Sequence, residues 1–340
     1  MAWYARCRPS FGTALVSAPR SCAMPYLAFL FICVVWGASF ILMDRAMHAV
    51  GPLGVGMARL LGGAAVLAVY CLARRTWAQF RPIDWVHLTI VALLANTWPF
   101  LIQPYVMRQA GEHGFFGLMV TFVPLVTILA SMPMLGQRPT PRQLVGVLGG
   151  LACAWLVVLD GTQRGIGAWD LGLALTVPLG YAVGNTYIKW KLDHLPAAPL
   201  STAFLAIGGA ALVPLRMSPA AMTALNLQGP AEPRDWPLAI GSLVLLGVVS
   251  TGAAILLFIW LVKTQGPLFA GMVTYVVPML ALVWGQVDDE RLTPLQIAAV
   301  SGVLAMVALV QWGAARPLPS LGVDPDAARN ASAAPPTLRN

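Results

Sequence analysis

Residues 60–73, LLGGAAVLAVYCLA, present apolar side chains on every face of any regular structure they adopt. Runs like this return down the whole chain, separated by short polar interruptions. A helix or strand of a water-soluble fold keeps one polar side for solvent, and these runs have none to keep. The composition agrees: 58% of residues are hydrophobic and 10% charged, against about 25% charged in soluble domains. A spanning β-barrel needs segments that alternate apolar and polar, which these do not. The remaining class is an all-α integral membrane protein, and at about 20 residues per crossing the chain has room for about ten helices.

Apolar runs bounded by charges, Pro and Gly place those helices near 25–43, 52–73, 86–107, 114–135, 143–160, 170–189, 197–215, 238–261, 267–287 and 295–313. The net charge of +8 could be read as a nucleic-acid signature, but the basic residues sit mostly in loops. With the N-terminus inside, 14 of the 21 basic residues fall on the inner side and six on the outer, which the positive-inside rule reads as both termini cytoplasmic. No nucleic-acid partner is expected. Cys33, Cys71 and Cys153 lie in apolar runs and Cys7 and Cys22 near the N-terminus, so neither a disulfide framework nor a metal site is expected. Residues 1–24 read as a cytoplasmic tail rather than a cleaved signal, with Met24 an alternative start, and residues 316–340 as a disordered tail.

The chain also repeats itself. RPTPRQLVGVLGG at 138–150 aligns without a gap on RLTPLQIAAVSGV at 291–303, and GFFGLMVTFVPLV matches GPLFAGMVTYVVP so that Pro124 and Pro278 coincide. Two five-helix units, 25–160 and 161–315, follow. An odd number of helices per unit forces the second to enter the membrane from the opposite side. Such inverted repeats exchange conformations around a central site, which is alternating access.

VVWGASFILMD at 34–44, GMARLLGGAAVL at 56–67, the prolines of TFVPLV and TYVVPML, and DDERLTPLQ at 288–296 resemble the EamA-type transporters of the drug/metabolite transporter superfamily, from about Met24 to Trp312. Gln137-Arg138-Pro139 in the first unit departs from the Glu-Arg-Leu usual there. The resemblance implies a ten-helix basket with both termini inside, a multi-pass protein of the cell inner membrane moving a small amino acid-like or amphipathic solute, commonly by efflux.

Arg59 is the ionisable residue placed clearly inside a run, seven residues past Pro52, or about 10 Å along a helix. Two readings stand: it faces a cavity and binds substrate, or it snorkels or braces against Asp44 or a carbonyl. Trp36, Ser39, Asn96, Trp98, Gln103, Thr121, Tyr181, Asn185 and Tyr275 are candidate substrate-binding residues on the helices where inverted units would meet. The bland reading of each is interhelical hydrogen bonding. Pro124 and Pro278 are the candidate hinges, and Gly180 with Gly184 a close-packing face.

The main rival class is a membrane-embedded enzyme, or else a non-transporting scaffold. His48, His87, His113 and His194 are scattered over both faces, and Asp288-Asp289-Glu290 reads most simply as a loop end. No catalytic set, metal or cofactor is expected, and the partners are the lipid bilayer and a small solute, for a monomer or homodimer. No acidic or His residue is expected to be buried in the bundle, which leaves facilitated diffusion, or ion coupling through a rim residue such as Asp44 or Glu112, open.

Overall fold

The structure, a computed structural model, describes residues 23–111, 113–136, 140–163, 165–265, 270–290 and 292–311. Expectations that rest on the two tails, Arg138, Glu112 and Arg291 lie outside the described residues. What is described is helical, with no strand among the described residues.

The long helices are α1 (Ala23–Met47), α2 (Pro52–Arg74), α3 (Pro82–Ala110), α4 (Phe115–Leu135) and α5 (Pro141–Gln163), followed by α6 (Ala168–Lys191), α7 (Ala197–Met217), α8 (Trp236–Thr264), α9 (Val273–Val287) and α10 (Pro294–Gln311). Among the described residues, α1 to α5, α7 and α8 are long and apolar enough to cross a bilayer, and α9 and α10 are shorter apolar helices. Helix α6 has the length but carries Asp170, Asn185, Lys189 and Lys191. Large apolar side chains such as Val69, Leu148 and Val283 point outward, as lipid-facing positions do. Trp85, Trp169 and Trp236 stand exposed at helix starts, where aromatic belts sit.

Several helix ends follow from local chemistry. Proline occupies the first turn of α2, α3, α5 and α10, where its missing N–H costs nothing. Helix α3 begins at Pro82, not near 86, because the Arg81 backbone N–H donates to Asp84 Oδ2 at 2.8 Å and caps an extra turn. The repeated Thr-Pro-x-Gln motif has a similar role in the second half. Thr293 Oγ accepts the Gln296 backbone N–H at 3.1 Å while Gln296 Oε1 accepts that of Thr293 at 3.3 Å, a reciprocal capping box that starts α10.

Packing is nearly unchanged when the two sets of five helices are exchanged. Helix α1 packs on α9 and α6 on α4, α2 on α8 and α7 on α3, while α2 with α7, α4 with α9 and α5 with α10 pair across the halves. The α5–α10 contact is reciprocal in detail. A Cβ on Gly149 would lie 2.2 Å from Met306 Sδ, and one on Gly302 would lie 2.5 Å from Cys153 Sγ. These are the same two positions of each half with their roles swapped. Gly180 and Gly184 serve as expected, pressed against Leu94 O and Ala95 of α3.

Both third helices carry a π-helical segment, Ala92–Thr97 in α3 and Leu245–Ala253 in α8. A π-turn leaves backbone carbonyls unused by its own ladder and often marks a working site. Ahead of the expected hinges, α4 tightens into a 3-10 turn at Val120–Phe122 just before Pro124, while Pro278 lies inside α9.

The expectation of no buried acid is corrected. Asp84 is 1% exposed and Asp160 is fully buried. Both sit near helix ends with local partners: Asp84 caps α3 and lies 3.3 Å from His194 Nε2, and Asp160 accepts the Thr293 hydroxyl.

Candidate functional site

Between the two sets of helices lies a cavity of roughly 710 Å³ of atom-free space, its open part included. It is well above the room a single water needs. That is space for a small solute, not a macromolecule.

Its walls come from helical faces. On α6, Tyr181, Asn185 and Ile188 line it, and on α3, Asn96, Phe100 and Gln103 do, both sets spaced i, i+4, i+7 along one side of a helix. On α1 the lining residues are Trp36, Ser39 and Phe40, with Arg59 from α2, Phe204 from α7 and Phe258 with neighbouring isoleucines from α8.

Arg59 is 4% exposed. Its Nη1 donates to Met43 Sδ at 3.1 Å, its Nε to Thr251 Oγ1 at 3.4 Å, and its Cζ lies 4.1 Å from the centre of the Phe100 ring. These are a thioether, a hydroxyl and a ring face, and among the described residues no carboxylate is within ion-pair distance. Asp44, the brace considered from sequence, is held by Arg45 and His48 instead. A guanidinium so buried and so weakly compensated is costly unless something else neutralises it.

The remaining polar groups differ in how far they are used. Trp36 Nε1 donates to the π-segment carbonyl of Ser250 at 2.9 Å, with its ring 5.1 Å from that of Phe258. Ser39 Oγ donates to Trp36 O at 2.6 Å, and Asn96 Nδ2 reaches Val91 O at 3.4 Å. The side chains of Gln103, Tyr181 and Asn185 line the cavity without a protein hydrogen-bond partner among the described residues. Gln103 is buried and Tyr181 and Asn185 half-buried, and buried amides are normally satisfied. Three idle polar groups around so weakly compensated a cation describe a place prepared for a ligand.

Of the ten expected residues the cavity brings together Arg59, Trp36, Ser39, Asn96, Gln103, Tyr181 and Asn185. Trp98 stands elsewhere, half-exposed, donating to Thr176 Oγ1 at 2.8 Å. Thr121 is buried and donates to Leu118 O at 2.6 Å, and Tyr275 packs against the core outside the lining. Sequence reasoning missed the apolar wall, above all Phe40, Phe100, Phe204 and Phe258. Phe40 and Phe100 were findable, each four residues beyond a chosen residue, Trp36 and Asn96 respectively, and so on the same face.

Comparison with known proteins bears on the family and the fold. The sequence model of the EamA-like transporter family matches residues 23–159 and, a second time, residues 168–312. The chain is 24% identical over 296 residues to the uncharacterized inner membrane transporter YedA of Escherichia coli K12, covering 85% of this chain and 92% of that one. It is 22% identical over 272 residues to the uncharacterized transporter YoaV of Bacillus subtilis, covering 78% and 89%. A solved crystal structure 18% identical in sequence superposes with a TM-score of 0.61 over 87% of this chain and 100% of its own, a likeness of fold alone.

Proposed function

Because this chain belongs to the EamA-like transporter family, and so is a multi-pass membrane transporter of the drug/metabolite transporter type, we propose that it carries a small amino acid-like or amphipathic solute across the inner membrane by alternating access, in the outward direction. The carrying observation is Arg59, buried without a carboxylate and facing a central cavity beside the idle polar ends of Gln103, Tyr181 and Asn185. A scaffold has no use for a buried, uncompensated cation, and an enzyme would need an acid–base pair or nucleophile at the same place. Among the described residues the cavity walls hold no carboxylate, histidine or cysteine that could serve as base or activated nucleophile.

The mechanism rests on two inverted units, 25–160 and 161–315, with ten crossings and both termini in the cytoplasm. Supporting it are the basic residues gathered on one side, the packing that survives exchange of the halves, and the double match of the family model. Cargo sits where the two units meet. Rocking of one unit against the other then opens the cavity to each side in turn. The outward direction rests on the family resemblance, and the inner membrane on the name of the Escherichia coli relative.

The test is flux. The purified protein in proteoliposomes should move its solute saturably, and Arg59→Ala should abolish this while still inserting with normal yield. An unchanged rate in Arg59→Ala would sink the assignment of the site. Absence of any saturable flux across a broad metabolite panel would sink transport.

A further inference from the structure

We infer that the carried solute is a net monoanion, an amphipathic carboxylate lacking an ammonium group, and that zwitterionic amino acids of the same skeleton are selected against. The inference rests on the transport reading above and narrows its solute class.

Charge has to balance where the walls are mostly apolar. Among the described lining residues Arg59 is the single formally charged side chain, so the empty cavity holds one positive charge. A monocarboxylate brings the total to zero. A zwitterion leaves it at one positive charge, a cation raises it to two, and a dianion overshoots to one negative charge. Leaving net charge in a partly open site walled mostly by apolar side chains is expensive even when one ion pair forms there.

The geometry adds to the count. In an α-amino acid the ammonium is two bonds from the carboxylate, so docking the carboxylate on Arg59 carries the ammonium into the field of the same guanidinium. No acid waits for it. Asp44, at the end of α1, already holds Arg45 at 3.0 Å and has His48 at 3.7 Å. The ammonium would be left with amide oxygens and the faces of Trp36 and Tyr181, attractive but weak partners for a cation. A carboxylate alone meets none of these objections. One oxygen takes the guanidinium, and the Gln103 and Asn185 amides and the Tyr181 hydroxyl can donate to the other. The hydrocarbon body then lies against Phe40, Phe204, Phe258, Ile255 and Val277.

The experiment uses the full chain, purified and reconstituted, with three matched sets of probes. These are hexanoate, hexanamide and norleucine; 3-phenylpropanoate, 3-phenylpropanamide and phenylalanine; and indole-3-propanoate, its amide and tryptophan. Ligand-induced thermal stabilisation reads binding, and flux into proteoliposomes reads transport. In at least one set the acid is expected to bind at least tenfold more tightly than both its amide and its amino acid. Arg59→Gln should erase that order, whereas Arg59→Lys, which keeps the charge, should retain it with weaker binding. An acid that in every set falls short of that margin over its amide or its amino acid, or no binding by any of the acids, overturns the inference. Flux with the amino acid preferred leaves transport standing and removes the charge rule. Binding in the stated order without flux upholds the charge rule and removes transport.

Discussion

Helices α2 and α7 carry the same tetrapeptide, Gly62-Gly63-Ala64-Ala65 and Gly208-Gly209-Ala210-Ala211, and use it for close packing in both halves. Glycines of each pair let the helix press on the π-segment of the other half's third helix: a Cβ on Gly63 would lie 2.8 Å from Thr251 Cγ2, and one on Gly208 would lie 2.9 Å from Thr97 Oγ1, while Gly209 faces Leu61 of α2. Three residues before each tetrapeptide the likeness stops, with Arg59 in α2 and Leu205 in α7. The scaffold is therefore doubled and the charge is single. Close packing is what both halves need in order to exchange shapes, whereas a second cation in one cavity would repel the first.

The largest effect should come from forcing the halves to match the wrong way. Leu205 is fully buried in the core, and Leu205→Arg places an unpaired charge there at a cost of about 3 kcal/mol or more. The folded yield and thermal midpoint in detergent should collapse, and a variant as stable as the parent would show that α7 has a hidden partner for a cation. The converse change is smaller and functional. Arg59→Leu should lower flux at least a hundredfold, about 2.7 kcal/mol, without lowering the thermal midpoint, because it removes a buried charge that the fold leaves uncompensated. A fall in stability as large as the fall in flux would make Arg59 a brace instead.

These two substitutions mark how much could be read from the sequence. Helix existence was legible because each apolar run is long and unbroken, and the edges drifted where capping, not hydropathy, decides, as at Pro82 with its Asp84 cap. Buried acids were not legible. Asp84 and Asp160 are polar letters at run ends, and only the fold folds neighbours over them, His194 for one and Thr293 for the other. Site residues were legible as a set of polar positions on the right helices, but not their direction. Trp98 is two residues past Asn96, roughly half a turn around the helix, and the π-segment Ala92–Thr97 shifts the phase just ahead of it. No single-sequence pattern announces that shift.

The doubled part of the scaffold should respond symmetrically. Gly149→Leu and Gly302→Leu each drive a branched side chain into the sulfur-bearing residue opposite, Met306 or Cys153. Overpacking of this kind costs about 1–3 kcal/mol, and the two thermal midpoints should fall by similar amounts. Unequal falls would show that the α5–α10 contact, for all its reciprocal geometry, is not energetically two-fold.

The smallest effect tests a residue of the repeated motif that makes two contacts at once. Thr293 caps α10 through its exchange with Gln296 and also donates its hydroxyl to the buried Asp160 at the end of α5. Losing a Ser/Thr cap costs about 1 kcal/mol. Thr293→Ala also takes the hydroxyl away from a buried carboxylate, so its midpoint should fall by more than a cap alone explains. Thr293→Ser keeps both contacts and should be close to neutral. The decisive arm is the double substitution Thr293→Ala with Asp160→Asn: if the two sites act through one hydrogen bond, the second change adds less than it does alone. Strict additivity would mean that Thr293 stabilises α10 as a cap and nothing more.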